Sequence, residues 1–192
     1  MTKFSANTPI ALAILSLAAG CAAPTMQSAS PAMASKAIFS QAALADAVKV
    51  PAGHKVMSET VGAGQITYEC RAKAAVAGQF EWVFVGPDAT LADRSGKLVG
   101  KYYGPPATWE SNDGSKLTGA QLAVSPAAAG NIPFQLVKAN PAMGAGSMQG
   151  VSYIQRVATQ GGVAPATPCD ASTLAKKSIV KYQADYIFWM PG

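Results

Sequence analysis

Trp109-Glu110, followed by Asp113-Gly114-Ser115 and preceded by Tyr102 and Tyr103, is the densest grouping of chemistry-bearing side chains in the chain. An aromatic face flanked by carboxylates suits a saccharide, because the ring packs on C–H faces while oxygens accept hydroxyl hydrogens. Two carboxylates about 5–9 Å apart could also cleave a glycosidic bond. The same residues have plainer uses, Trp109 as core and Asp113 as a turn former. Arg156, in "IQRVAT", falls on a polar strand phase with Ser152. It can pair with Glu69, Glu110 or Asp185, or serve an anionic ligand. The ligand-binding candidates are therefore Tyr102, Trp109, Glu110, Asp113 and Arg156, and no residue is assigned a catalytic role.

Other chemistry has less to stand on. His54 is the sole histidine, so any Ser-His-Asp triad or histidine-based zinc site must run through it. It follows a Pro-Ala-Gly turn with no catalytic signature around it. Asp88, Asp93 and Asp113 lack the dense Asp-x-Asp spacing of a calcium loop, and no metal site is expected. No Gly-x-Ser-x-Gly elbow or P-loop is present, and Gly62-Ala63-Gly64 lacks the third glycine and the following helix of a dinucleotide fingerprint. No cofactor is expected.

The scaffold must come from a chain of 192 residues, enough for one domain with a tail. Charged residues are 13%, against a usual value of about a quarter, while Gly (18) and Pro (13) are plentiful. That balance favours short strands and tight turns over long solvent-facing helices. The net charge of +5 comes from scattered lysines. No basic run is dense enough for a nucleic-acid stripe.

Residues 1–20 have the three parts of an export signal: Lys3, the short apolar core "PIALAILSLAA", and small residues before Cys21. The apolar run is too short to cross about 30 Å of hydrocarbon. Ala18-Ala19-Gly20-Cys21 resembles the bacterial lipobox, with Ala18 where Leu is commonest. The resemblance implies that Cys21 becomes an acylated first residue, giving the protein a membrane partner through its N-terminal lipid. Ala22, not Asp, follows the cysteine, which favours the outer membrane. The alternative is ordinary cleavage to a soluble secreted or periplasmic protein. Residues 21–35, small, polar and Pro-punctuated, are expected to form a tether.

Cys70 and Cys169 remain once Cys21 is acylated, and an exported chain reaches an oxidising space. They are expected to pair; two buried free thiols are the alternative. Neither has a partner at metal-ligand spacing.

Residues 36–49 hint at a short helix or irregular lead-in before Pro51. The domain over 50–192 then shows period two. "QITYECRA" alternates Ile66, Tyr68 and Cys70 against Thr67, Glu69 and Arg71, and "FEWVFVG" sets Phe80, Trp82 and Phe84 opposite Glu81, Val83 and Val85. "IPFQLVKA", "GVSYIQRVAT" and "IVKYQADYIFWM" follow. No helical pattern recurs between them, so the fold class is all-β: a single antiparallel β-sandwich or barrel-like domain. "NDGS" (112–115) carries a hairpin signal, and "GPDATLADRSGK" (86–97) is expected to be a loop.

Several blocks together resemble a family of uncharacterised exported proteins from bacteria and fungi, a domain of unknown function. They are "PAGH", "GAGQITYEC", "WVFVGPDATLAD", "GKLVGKYYGPPATWESNDGSKLTG", "VSYIQRVATQGGVAPATPCD" and "YQADYIFW", in order across residues 50–190. The resemblance implies a compact secreted domain with no assigned activity. Where that family reads Gly-x-His-Tyr, this chain has Gly100-Lys101-Tyr102-Tyr103, so chemistry needing an imidazole there is lost. The functional expectation is a non-enzymatic envelope lipoprotein that binds a glycan or a partner protein; the alternative is a carboxylate-based hydrolase acting on a saccharide.

Overall fold

The computed structural model describes residues 39–192. The signal (1–20), Cys21, the tether (21–35) and the start of the lead-in lie outside the described residues.

Eight antiparallel strands run in sequence order around a closed barrel. They are β1 (His54–Ala72), β2 (Phe80–Asp93), β3 (Leu98–Tyr103), β4 (Thr108–Ser111), β5 (Lys116–Ser125), β6 (Phe134–Ala139), β7 (Tyr153–Gly161) and β8 (Lys177–Pro191). Closure comes from β1, which pairs with β2 on one side and with β8 on the other, Gly62 lying opposite both Leu91 and Ala184. A closed sheet leaves no unpaired edge along these strands.

Period two sorts the side chains. Ile66, Tyr68 and Cys70 of β1 and Tyr182, Ala184 and Tyr186 of β8 are buried. Most of them join Leu91, Tyr102, Trp109, Leu117, Ile154 and Phe188 in one cluster within the barrel. The alternate positions, among them Lys55, Gln65, Lys181 and Gln183, meet solvent to varying degrees. An apolar interior with a polar exterior is the reverse of the lipid-facing pattern.

The expected loop over 86–97 is corrected: β2 runs on to Asp93, and only 94–97 form the turn to β3. Pro87 is tolerated because it lies beside a bulge in the β1–β2 ladder, before β3 begins to pair at Asp88. The NDGS segment is the β4–β5 hairpin turn, with Gly114 at a φ of 87° that a Cβ would disfavour.

Glycine also makes room for the interior. A Cβ on Gly62 would lie 2.5 Å from the Tyr186 ring, and one on Gly64 would lie 2.1 Å from the Asp88 carbonyl oxygen. The Gly62-Ala63-Gly64 segment thus lets a large ring fill the barrel and lets β2 approach β1.

A second cluster lies on the outer side of the wall. The lead-in has a single turn of 3-10 helix (Asp46–Val48). Val48 and Val50, with Phe39 and Leu44 beside them, cover Leu136, Val157, Ile187 and Trp189. The apolar residues outside β6, β7 and β8 are thereby removed from water without a second sheet.

Candidate functional site

Tyr102 on β3 and Trp109 on β4 are directly paired across the ladder. Both point inward, and their rings stack at a centroid distance of 4.7 Å. Tyr186 tilts against Tyr102 at 4.9 Å and meets Trp109 edge-on at 5.9 Å. Such contacts add about 0.5–1.5 kcal/mol per pair beyond area burial. Trp109 is 1% exposed, and its Nε1 has no hydrogen-bond partner among the described residues.

At one end of the barrel the same two rings help line a cavity of about 350 Å³. Tyr68, Phe84, Tyr102 and Trp109 form its aromatic wall, with Gln121, Gln135 and Arg156 as the polar groups. Phe84 remains 52% exposed there and meets Tyr68 edge-on. The Tyr68 hydroxyl donates to the Gly162 carbonyl at 2.8 Å, and Gln135 donates to Gln121.

Arg156 does not make the ion pair expected of it. It lies opposite Tyr186 in the β7–β8 ladder, whereas Asp185 lies opposite Val157 and so belongs to the outer face. Glu69 and Glu110 are likewise out of phase with the inward Tyr68 and Trp109. They pair with Arg71 and Lys101, while Arg94 takes Glu59 and Asp185. The Arg156 guanidinium instead donates from Nε (3.2 Å) and Nη2 (2.9 Å) to the Pro133 carbonyl. Its other N–H groups have no acceptor among the described residues. Burial raises the Tyr68, Tyr102, Tyr182 and Tyr186 phenols, and the Arg156 charge pulls each partly back down.

The two acids lie elsewhere. Glu110, on the outer face of β4, accepts from the Tyr103 hydroxyl at 2.7 Å and pairs with Lys101 at 3.2 Å. The Tyr103 bond, with Lys101 beside it, holds its carboxyl below the usual value. Asp113 accepts from the Ser115 hydroxyl and amide and from the Ser147 amide at 2.7 Å, tying the β4–β5 turn to the loop before β7. These bonds, led by the Ser115 hydroxyl, hold its carboxyl far below the usual range. The two carboxylates share no partner. Of the five candidates, the structure brings Tyr102, Trp109 and Arg156 to one cavity and leaves Glu110 and Asp113 out of it.

A larger cavity, about 620 Å³, opens among Met57, Leu91, Val99, Met148 and Phe188, with Asp113 and Glu59 at its margin. Its three acids are already engaged: Glu59 accepts from Arg94 and from the Phe39 amide, Asp93 from the Ser95 and Lys97 amides, and Asp113 from Ser115 and Ser147. The smaller cavity is the better candidate because it joins an aromatic wall to an arginine that no acid engages.

Residue phase alone did not single out Tyr68, Phe84, Gln121 or Gln135 as cavity residues. The alternation of "QITYEC" and "FEWVFV" places Tyr68 and Phe84 on inward faces, but does not say which inward rings border a void. His54 starts β1, with Nδ1 3.0 Å from the Pro51 carbonyl and its ring edge-on to Tyr153. Among the described residues no group of three or more His, Cys, Asp or Glu side chains is placed to hold a metal ion. No described helix is long and apolar enough to cross a membrane.

The family model described as "Protein of unknown function (DUF3455)" matches residues 51–190. The chain belongs to the DUF3455 family. The match spans the whole barrel from before β1 to the penultimate residue of β8, so the DUF3455 domain and the closed barrel are one unit here. Comparison with curated proteins and with solved structures gives no match.

Proposed function

We propose that this DUF3455 protein is a non-enzymatic envelope lipoprotein whose barrel binds a small, largely apolar molecule in the Arg156 cavity. The observation that carries the proposal is the cavity itself, an aromatic-walled space of about 350 Å³ at one end of a closed barrel. Concave, mostly apolar sites with a few polar groups are the usual form of small-molecule pockets. Its described lining contains no Ser, Cys, His, Asp or Glu side chain, which favours binding over turnover. A saccharide laid on Trp109 has less support, because that ring is stacked on Tyr102 inside the barrel. A hydrolase built on Glu110 and Asp113 has less support too, because each acid is engaged with different partners.

Titration with the neutral fluorescent probe N-phenyl-1-naphthylamine tests the binding reading. The expected result is saturable enhancement that is lost in Ala107→Phe, which fills the cavity from the β3–β4 turn. Absence of binding both by this probe and by its anionic analogue 1-anilinonaphthalene-8-sulfonate, or equal binding by a folded Ala107→Phe variant, overturns it.

Anchoring at the outer membrane, facing the periplasm or exterior, belongs to the same proposal and rests on the lipobox resemblance at Cys21. Palmitate label should enter the full chain and be absent from Cys21→Ser; label retained in the variant refutes the site.

A further inference from the structure

We infer that the cavity's ligand is an aromatic monoanion, with its charged head on Arg156 and its ring against Tyr68, Phe84, Tyr102 and Trp109. The inference rests on the small-ligand reading above and adds the chemical class.

Among the described residues Arg156 is the only charged side chain in the cavity lining, and none of their ion pairs includes it. The chain's other two arginines, Arg71 and Arg94, both pair with carboxylates. On the inward phase of β7, opposite Tyr186, Arg156 makes no ion pair, and no acidic side chain is among the described lining residues. A carboxylate or sulfonate is the natural complement of that planar fork. A cationic ligand finds no acid in the lining.

Trp109 belongs to the same wall, but it offers the space no donor: the residue is 1% exposed and its Nε1 is itself shut off from water, without an acceptor among the described residues. The guanidinium of Arg156 is therefore the group that directs a charged ligand.

The walls define the rest of the ligand. Phe84, 52% exposed, supplies most of the accessible aromatic surface, backed by the largely buried rings of Tyr68, Tyr102 and Trp109. Flat rings match such a surface by stacked and edge contacts. The volume suits a compact ring compound.

The probe pair 1-anilinonaphthalene-8-sulfonate and N-phenyl-1-naphthylamine tests this, since the two share one ring body and differ by the sulfonate. The full chain and its Arg156→Gln variant are titrated with each. Loss of the charge-assisted contact should weaken the sulfonate about tenfold in Arg156→Gln and leave the neutral probe unchanged. Arg156→Lys should retain part of the sulfonate affinity, and Arg71→Gln, on the outer face, all of it. Arg156→Met serves as the neutral variant if the glutamine form is unstable. If Arg156→Gln leaves both affinities unchanged, or lowers both equally, the anion assignment fails while the small-ligand reading stands. If neither probe binds the wild-type chain, both fail.

Discussion

The indole N–H of Trp189 on β8 donates to Oε1 of Gln155 on β7 at 2.8 Å, on the outer side of the barrel. Gln155 is fully buried, and its amide nitrogen donates onward to the Val48 carbonyl and to Gln41. Gln41 in turn exchanges two hydrogen bonds with the backbone of Val50. One side-chain amide thus joins the barrel wall to the lead-in that covers it.

Gln155→Ala strands the Trp189 donor and the Val48 acceptor in a sealed apolar layer. The expected loss is about 2–4 kcal/mol of unfolding free energy, read from the urea midpoint at an unchanged slope. Amide exchange over 39–50 should rise with it. A loss below about 0.5 kcal/mol would mean that apolar contact alone holds the lead-in.

Gly64→Ala places a Cβ 2.1 Å from the Asp88 carbonyl oxygen and 2.5 Å from the Ala89 Cα, both backbone atoms that cannot swing aside. The ladder between β1 and β2 must open. The expected cost exceeds about 2 kcal/mol, measured by thermal unfolding. Gly53→Ala, with open space around its Cβ but a φ of 83°, should cost less, about 1 kcal/mol.

Cys70 and Cys169 are disulfide-bonded, with Cα atoms 5.4 Å apart and a sequence separation of 99. The bond fixes the segment between β7 and β8 to the end of β1, beside the Trp82 indole N–H that donates to the Thr167 carbonyl at 2.8 Å. Replacing both cysteines by Ala should lower stability by about 2–5 kcal/mol. Hydrogen exchange should increase first over 162–176; uniform change across the barrel would contradict a local tether.

Burial raises the phenol pKa values of Tyr102, Tyr182 and Tyr186 above their ordinary 10. A raised folded-state value contributes stability that is complete below the unfolded pKa and is lost as pH climbs toward the folded one. Urea midpoints should therefore begin to fall near about pH 10 and keep falling as pH rises above it. Tyr186→Phe, which removes the most buried phenol, should show a smaller fall. Equal slopes in the two proteins would exclude Tyr186 as a contributor.

Much of the barrel was legible in residue order. Alternation in "QITYECRA" and "KYQADY" matches buried Ile66, Tyr68, Cys70, Tyr182, Ala184 and Tyr186 against wetter neighbours, because a pleated strand turns successive side chains to opposite faces. Asp113-Gly114 marked the β4–β5 turn, since the φ at Gly114 suits glycine. Residues 86–97 read as a loop because Gly86 and Pro87 are turn formers in isolation, and only the partner strands reveal a bulge there. Its spacing from Ser152 puts Arg156 on a polar phase, yet its register against Tyr186 turns it inward.

What the sequence by itself determined is local: strand period, turn positions, two cysteines available to pair, and the presence of aromatic and acidic side chains between Tyr102 and Ser115. Tertiary structure alone decided which of those side chains meet. Closure of β1 onto β8 converts a common parity into a common interior, so Trp109 and Arg156, far apart in the chain, line one cavity while Glu110, adjacent to Trp109, faces out. Adjacency along a strand separates side chains, and only the ladder registers bring distant ones together.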